Sequence, residues 1–372
     1  TAGFAGAQLG LIVLWAIVLG AAMKFVLNEG LARWQLATGT TLLEGVANHV
    51  GRWAILLFLI YLLPFTFVVG GALIISGEDY GEGASIIQER TLSMAMKSSM
   101  WMVDPRPNLT TIVDTVEKSF ELSEVSNTPI IMQLRIRACH VQGRFVAKDN
   151  RKPTINTRER KKDPAPFEYA RLAHPPVTFI QEKLKVEQRL PAAQKYIREK
   201  GLNEIFDGDI SRHGIIVPGG LYNTLIRRLA RLGLADDFGN TRIPLLVLNV
   251  IHPLVPDQIT DFCAGRDAVL VMEEGNPEYL EHQINGILRK ADIQTRVHGK
   301  DVMPMAGEYN ATVMHKGLMG FIEAEGLGIG DPVTIREEDQ RVSAALDGAS
   351  DAFPAPLPPR PPQFCTGCPE RP

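Results

Sequence analysis

The chain has 372 residues, enough for two or three domains. Its formal net charge of −3 at pH 7 indicates no particular class of partner. Four scattered cysteines exclude a disulfide-rich secreted framework and fit a reducing compartment. The sequence has no initiating methionine and no signal-peptide cleavage pattern, and it stops abruptly after a proline-rich stretch, so we expect it to continue at both ends.

The first 76 residues are strongly apolar. Residues 3–23 and 53–76 contain no charged side chain, and each run is long enough to cross a hydrocarbon core as a helix. We predict two transmembrane helices; the alternative is a pair of buried core helices. Lys24, Arg33 and Arg52 lie between the runs, so the positive-inside bias places this loop on the cytoplasmic side.

Residues 77–145 have the pattern of a βα unit. The apolar spacing of residues 111–123 predicts an amphipathic helix, and the run at 128–136 predicts a buried strand.

Residues 146–210 predict a connecting region. Residues 148–162 carry seven Lys and Arg against two acidic side chains. A nucleic-acid site would have aromatic residues within such a run, and none is present, so we predict a solvated linker and no nucleic-acid partner. A charged helix is predicted over residues 175–200.

Residues 211–330 alternate runs of strand length with runs of helical period. Such alternation predicts right-handed crossovers and a parallel sheet, which gives an α/β fold. The predicted strands are residues 214–218, 243–250 and 268–272, with a fourth near Val297; the predicted helices begin near Leu221, Pro256 and Pro277, and Gly233 closes the first of them.

The carboxyl ends of these strands are where an open parallel sheet offers a site. They carry Gly219-Gly220, His252-Pro253 and Glu273-Glu274. The Gly-Gly turn into a helix is either a phosphate cradle or a structural turn, and the full dinucleotide pattern is absent. His252 is either an acid–base group or a loop residue before Pro253.

The segments at 70–89, 244–304 and 358–372 resemble indolepyruvate ferredoxin oxidoreductase, a thiamine-diphosphate-dependent 2-oxoacid:ferredoxin oxidoreductase family. The resemblance covers about residues 70–372. It implies a partial pyrimidine-binding-type domain at 77–145 and a transketolase-C-terminal-like domain at 211–330. Residues 331–372 would be a proline-rich linker and the start of a thiamine-binding domain.

The resemblance also implies site residues. Arg135, Arg137 and His140 follow the strand at 128–136 and are candidates to face a 2-oxoacid carboxylate, because arginine presents paired donors; the alternative is that they cap loops. Cys365 and Cys368 would be thiolate ligands of an iron–sulfur cluster, although a lone C-x-x-C also fits half a zinc site or a redox pair.

In the intact family the cofactors would be thiamine diphosphate, Mg²⁺ and a 4Fe-4S cluster, and the partners would be ferredoxin and a second oxidoreductase subunit or domain. The reaction would be oxidative decarboxylation of an aryl pyruvate, with cofactor chemistry that the protein positions. The glutamate that activates the thiamine ring would precede residue 70 and is missing, so both halves of the cofactor site are lacking. We therefore predict a fragment that binds no cofactor and is inactive alone.

The first 75 residues resemble the second and third transmembrane helices of the NRAMP family of divalent metal transporters, through the run LIVLWAIVLGAAMKFVLNEGLARWQLATGTTLLEG. The metal-binding motifs of that family have no counterpart here. The resemblance implies a fusion of a transmembrane hairpin, residues 1–76, with a passenger oxidoreductase segment. Its alternative function is a remnant of a metal transporter. The first part would contact the lipid bilayer, and the oxidoreductase part is expected in the cytoplasm.

Overall fold

The computed structural model describes residues 71–78, 80, 90–149, 175–236, 238–329 and 332–352. All of them fall within one of the two compact units into which the chain divides. The strands are β1 (Leu73–Glu78), β2 (Trp101–Val103), β3 (Ile130–Arg135), β4 (Glu204–Phe206), β5 (His213–Pro218), β6 (Leu245–Leu248), β7 (Val250–His252), β8 (Ala268–Val271) and β9 (Arg296–His298).

The helices alternate with these strands along the chain. They are α1 (Thr91–Ser98), α2 (Leu109–Ser126), α3 (Ile136–Cys139), α4 (Val177–Leu184), α5 (Leu190–Glu199), α6 (Tyr222–Arg231), α7 (Pro256–Cys263), α8 (Tyr279–Lys290), α9 (Ala311–Ala324) and α10 (Pro332–Ala352). A π-helical turn at Lys185–Arg189 joins α4 to α5.

The first sheet has the order β1-β3-β2-β7. Strands β1, β3 and β2 are parallel, and β7 pairs antiparallel with β2. Helix α2 covers this sheet; the Asn108 side chain accepts a hydrogen bond from the Thr111 amide at its start, and Asn127 ends it in the left-handed region. The predicted strand at 128–136 and the predicted helix at 111–123 are therefore confirmed.

The second sheet has the order β4-β6-β5-β8-β9. Strands β6, β5, β8 and β9 are parallel, whereas β4 pairs antiparallel with β6 at the edge. Every residue of β5, β6 and β8 is buried, as expected when helices cover both faces. The predicted α/β fold with a parallel sheet is confirmed, and Gly233 follows α6 with a φ of 69°, as its predicted capping role requires.

Residues 243–250 do not form one strand, and that prediction is wrong. The run divides at Asn249 into β6, which enters the second sheet, and β7, which enters the first. The cause is the Asn249 amide group: it donates to the carbonyl of Leu202 and to Glu204, and it accepts from the backbone amide of Arg106. A polar side chain satisfied in this way directs the two halves of an apolar run to different sheets.

The end of the predicted second transmembrane run is also corrected. Leu73 to Ser76 belong to β1 and pair with β3, so this part of the run is strand. The rest of both predicted runs lies outside the described residues. Within the described ranges, no helix combines the length and the apolar content needed to cross a membrane.

Three groups of buried apolar side chains form the core. One lies between the second sheet, α6 and α9, and another lies between the first sheet, α2 and α5. The third includes Met102 and Ile131 from the first sheet together with Ile216, Leu246 and Val269 from the second. The two sheets therefore share a continuous apolar contact, which brings their carboxyl ends close together. The predicted domain bounds at 77–145, 146–210, 211–330 and 331–372 stay predictions.

Candidate functional site

The carboxyl ends of the two sheets meet in a cluster of buried charges. Asp104 follows β2, Arg135 ends β3, and Glu274 lies shortly after β8. The Arg135 guanidinium donates to Asp104 from Nε at 3.1 Å and from Nη2 at 2.7 Å, and its Nη1 donates to Glu274. Arg135 is only 6% exposed. Buried charge is tolerated when it is paired and hydrogen-bonded, and Arg135 has both compensations from this chain.

Gly219 and Gly220 run directly beneath this cluster. A Cβ on Gly219 would overlap the backbone of Asp104 and Arg106. A Cβ on Gly220 would overlap the side chains of Arg135 and Asp104. Glycine is needed here for close approach. The place where a phosphate would approach this turn is occupied by the protein's own groups, which supports the structural alternative for the Gly-Gly pair.

A second ion pair links the sheets through Arg90 and Glu273. Arg90 directly precedes α1, and its Nη2 lies 2.5 Å from Glu273 Oε1. The other carboxylate oxygen of Glu273 accepts from the backbone amides of Leu280 and Glu281 at 2.7 and 3.2 Å, at the start of α8. Burial raises the pKa of Glu273. One carboxylate thus stabilises both an ion pair and a helix terminus.

Lys300 lies beside the same strand end. Its Nζ donates to the Gly275 carbonyl at 2.9 Å, to the Tyr309 hydroxyl at 2.7 Å and to the Pro304 carbonyl at 3.2 Å, and also to the Glu273 carbonyl. Burial lowers the pKa of Lys300 to about 8.

The end of β1 supplies the last members of the cluster. Glu78 accepts a hydrogen bond from the Thr91 amide at 3.0 Å, and burial raises the pKa of its carboxyl group. The Arg135 guanidinium lies over the ring of Tyr80, 5.2 Å from its centre, and burial raises the pKa of that phenol. Strand ends from both sheets therefore contribute to one network.

The sequence-predicted site residues have different outcomes. Arg135 lies in the cluster, with its guanidinium bonded to two carboxylates. His140 is exposed just after α3, and the Arg137 side chain lies outside the described residues, as do Cys365 and Cys368. The substrate and metal-ligand roles of these residues stay predictions. Within the described ranges, no group of three or more His, Cys, Asp or Glu side chains has the geometry to hold a metal ion.

Sequence reasoning did not identify Arg90, Asp104, Lys300 or Tyr309. Asp104 follows β2, a strand of three residues that is too short to give a clear pattern. Lys300 follows β9, which is equally short. The available signal was positional, because polar residues after short apolar runs lie at the carboxyl edge of a parallel sheet.

Comparison with known proteins gives consistent relatives. Over 310 residues the chain is 26% identical to "Indolepyruvate oxidoreductase subunit IorA" of Methanothermobacter thermautotrophicus. This match covers 82% of the chain and 44% of the relative. The chain is similar to the IorA subunit of indolepyruvate oxidoreductases. IorA of Pyrococcus horikoshii is 24% identical over 313 residues, covering 81% of the chain and 43% of that relative. No family model matches.

The chain thus spans less than half the length of these IorA proteins. The match to IorA of Archaeoglobus fulgidus, 26% identical over 359 residues, covers 93% of the chain and 51% of that relative. It must therefore extend into the first 75 residues. The oxidoreductase resemblance is supported, whereas no comparison shows the NRAMP resemblance.

Two solved structures have weak overall similarity. One is described as "Split gene transketolase, inactive beta4 tetramer", with a TM-score of 0.39, 13% identity and coverage of 69% of this chain and 67% of that chain. The other is a 2-oxoglutarate:ferredoxin oxidoreductase from Magnetococcus marinus, with a TM-score of 0.41, 11% identity and coverage of 66% and 48%.

Proposed function

We propose that the chain is a section of the IorA-type subunit of an indolepyruvate ferredoxin oxidoreductase, inactive by itself. The observation that carries this proposal is the IorA match, which covers 82% of the chain but 44% of the relative. The intact subunit would catalyse oxidative decarboxylation of an aryl 2-oxoacid with ferredoxin as electron acceptor. A second subunit or domain would complete it.

The buried cluster supports a structural role for this section. Arg90, Arg135 and Lys300 are the cations of the cluster, and each is bonded to acceptors of this chain. A substrate carboxylate or a diphosphate would have to displace Glu273, Glu274 or Asp104 to reach the two arginines. Compensated charges of this kind suit a junction between two sheets better than an open anion site.

The implied cofactors do not fit the described residues for the same reason. Thiamine diphosphate with Mg²⁺ needs uncompensated cations or free carboxylates, and the cluster offers its arginines already paired. In this proposal the thiamine site lies in parts of the subunit other than the described ranges, and Cys365 and Cys368 would supply two thiolates to a cluster there.

The first experiment assays the purified chain with thiamine diphosphate, Mg²⁺, indolepyruvate and a viologen dye. We expect no dye reduction, and measurable reduction would contradict the inactive assignment.

The second experiment replaces the matching segment of the Methanothermobacter IorA with residues 70–372 of this chain and co-expresses it with its partner subunit. Dye reduction that requires thiamine diphosphate is expected. A soluble chimera that binds thiamine diphosphate yet oxidises neither indolepyruvate nor any other 2-oxoacid would contradict the family assignment.

A further inference from the structure

A line of four ionisable side chains connects the turn after β9 with the end of α9. His298 Nδ1 lies 2.5 Å from Asp301 Oδ2, and His298 Nε2 lies 2.8 Å from Glu325 Oε1. On the far side, Glu325 Oε2 lies 3.5 Å from His213 Nε2. The His298 ring is buried and packs edge-on against Phe321 at 5.6 Å.

The number of protons on this line follows from the contacts. A neutral imidazole has one N–H, whereas both ring nitrogens of His298 face carboxylate oxygens. Burial works against ionisation of Glu325, but hydrogen bonds from His298 and Arg296 hold its pKa below the ordinary value. Burial is likewise outweighed at Asp301, where the Gly299 amide and His298 lower the pKa. Both carboxylates therefore accept.

We propose that His298 is held as an imidazolium that donates from both ring nitrogens, and so ties the 299–301 turn to the C-terminal end of α9. The charged or titratable groups that face this tie are Asp301 from the turn, Glu325 after α9, Arg296 from β9 and His213 from β5. Loss of one ring proton leaves a nitrogen lone pair against a carboxylate oxygen. One of the two contacts must then open.

The turn that would open is connected to the junction between the sheets. Lys300 lies within it and bonds to the Gly275 carbonyl and the Tyr309 hydroxyl. The backbone amides of Val302 and Met303 donate to the Gly299 carbonyl at 3.2 and 2.9 Å, so the turn has its own exchange-protected amides. The tie is thus a pH-sensitive device that controls how firmly Lys300 is held at the carboxyl edge.

Amide hydrogen exchange on the full chain tests this inference. Protection factors for residues 299–303, corrected for intrinsic rates, are measured across the range in which histidines titrate, about pH 5 to 8. Protection should fall by about tenfold as the pH rises, as expected for loss of one charge-assisted hydrogen bond. His298→Gln should remove this pH dependence. His282→Gln is the matched control, because His282 is mostly exposed and contacts Glu278 at 3.4 Å.

Nitrogen-15 NMR of the His298 ring gives an independent readout that needs no variant. At the acidic end of the range both ring nitrogens should show the chemical shifts of protonated nitrogen. A single neutral tautomer there would overturn the inference, and so would wild-type protection of residues 299–303 that does not change with pH.

Discussion

Arg90 and Glu273 form a buried ion pair of 2.5 Å that joins the start of the first helix to the end of a strand in the second sheet. The two residues are 183 positions apart in the chain. Their contact makes the packing of the two sheets depend on a single charge pair, together with Arg135 and its two carboxylates.

Arg90→Met should destabilise the protein by about 3–5 kcal/mol, because Glu273 would be left as a buried charge without its partner. Urea unfolding at pH 7 measures this loss. Arg198→Met is the matched control: Arg198 pairs with Asp257 at the same 2.5 Å, but the two side chains are 54% and 66% exposed. Its cost should be below about 1 kcal/mol. Equal losses in the two variants would show that burial does not decide the contribution of the pair.

Gly219→Ala should destabilise the protein by about 1–3 kcal/mol, because the added methyl group would overlap the backbone of Asp104, which cannot rotate away. Gly286→Ala is the control, since a Cβ at this position in α8 meets no atom within 4 Å. That variant should be stabilised by about 0.5–1 kcal/mol through the higher helix propensity of alanine. Thermal unfolding distinguishes the two, and a neutral Gly219→Ala would contradict the close approach.

His252 should make the stability fall in mild acid. Burial lowers its pKa from 6.5 to about 4, and its Nδ1 has no hydrogen-bond partner among the described residues. The unfolded chain therefore binds the proton first, so stability present above about pH 6.5 is lost as the pH falls towards 4. His252→Phe should reduce the loss between pH 6.5 and 4.5 by about 2 kcal/mol.

The fluorescence of Trp101, whose ring lies 5.8 Å from the His252 ring, reports the unfolding transition. The exposed variant His282→Gln serves as the control. A wild-type acid dependence equal to that of His252→Phe would contradict the assigned role.

Lys300 should have the opposite signature in mild alkali. Its pKa is lowered to about 8, so the folded protein releases the proton while the unfolded chain still holds it. Stability should then rise from pH 8 to 9.5 by about 2 kcal/mol relative to Lys300→Met. Lys195→Met, at an exposed position, should leave the wild-type pH dependence intact. A difference between wild type and Lys300→Met that does not change over this range would show that Lys300 keeps its proton.

The helices and strands could largely be predicted from the sequence. Period and length located α2, β3, β5, α6 and β8, because the burial of each depends on residues a few positions apart. The parallel arrangement of the second sheet followed from the alternation of strand and helix. The resemblance to the oxidoreductase family, which the IorA relatives support, likewise came from the order of residues alone.

Only the tertiary structure decided the partners of the charged residues. Arg135 could be placed at a strand end from the sequence, and an uncompensated arginine there would suit a carboxylate ligand. Its partners Asp104 and Glu274 lie 31 and 139 positions away, so no local pattern shows that its charge is already compensated. The division of residues 243–250 between two sheets has the same cause. It depends on the bonds of Asn249 to Leu202, Glu204 and Arg106, and such long-range contacts exist only once the two sheets have packed together.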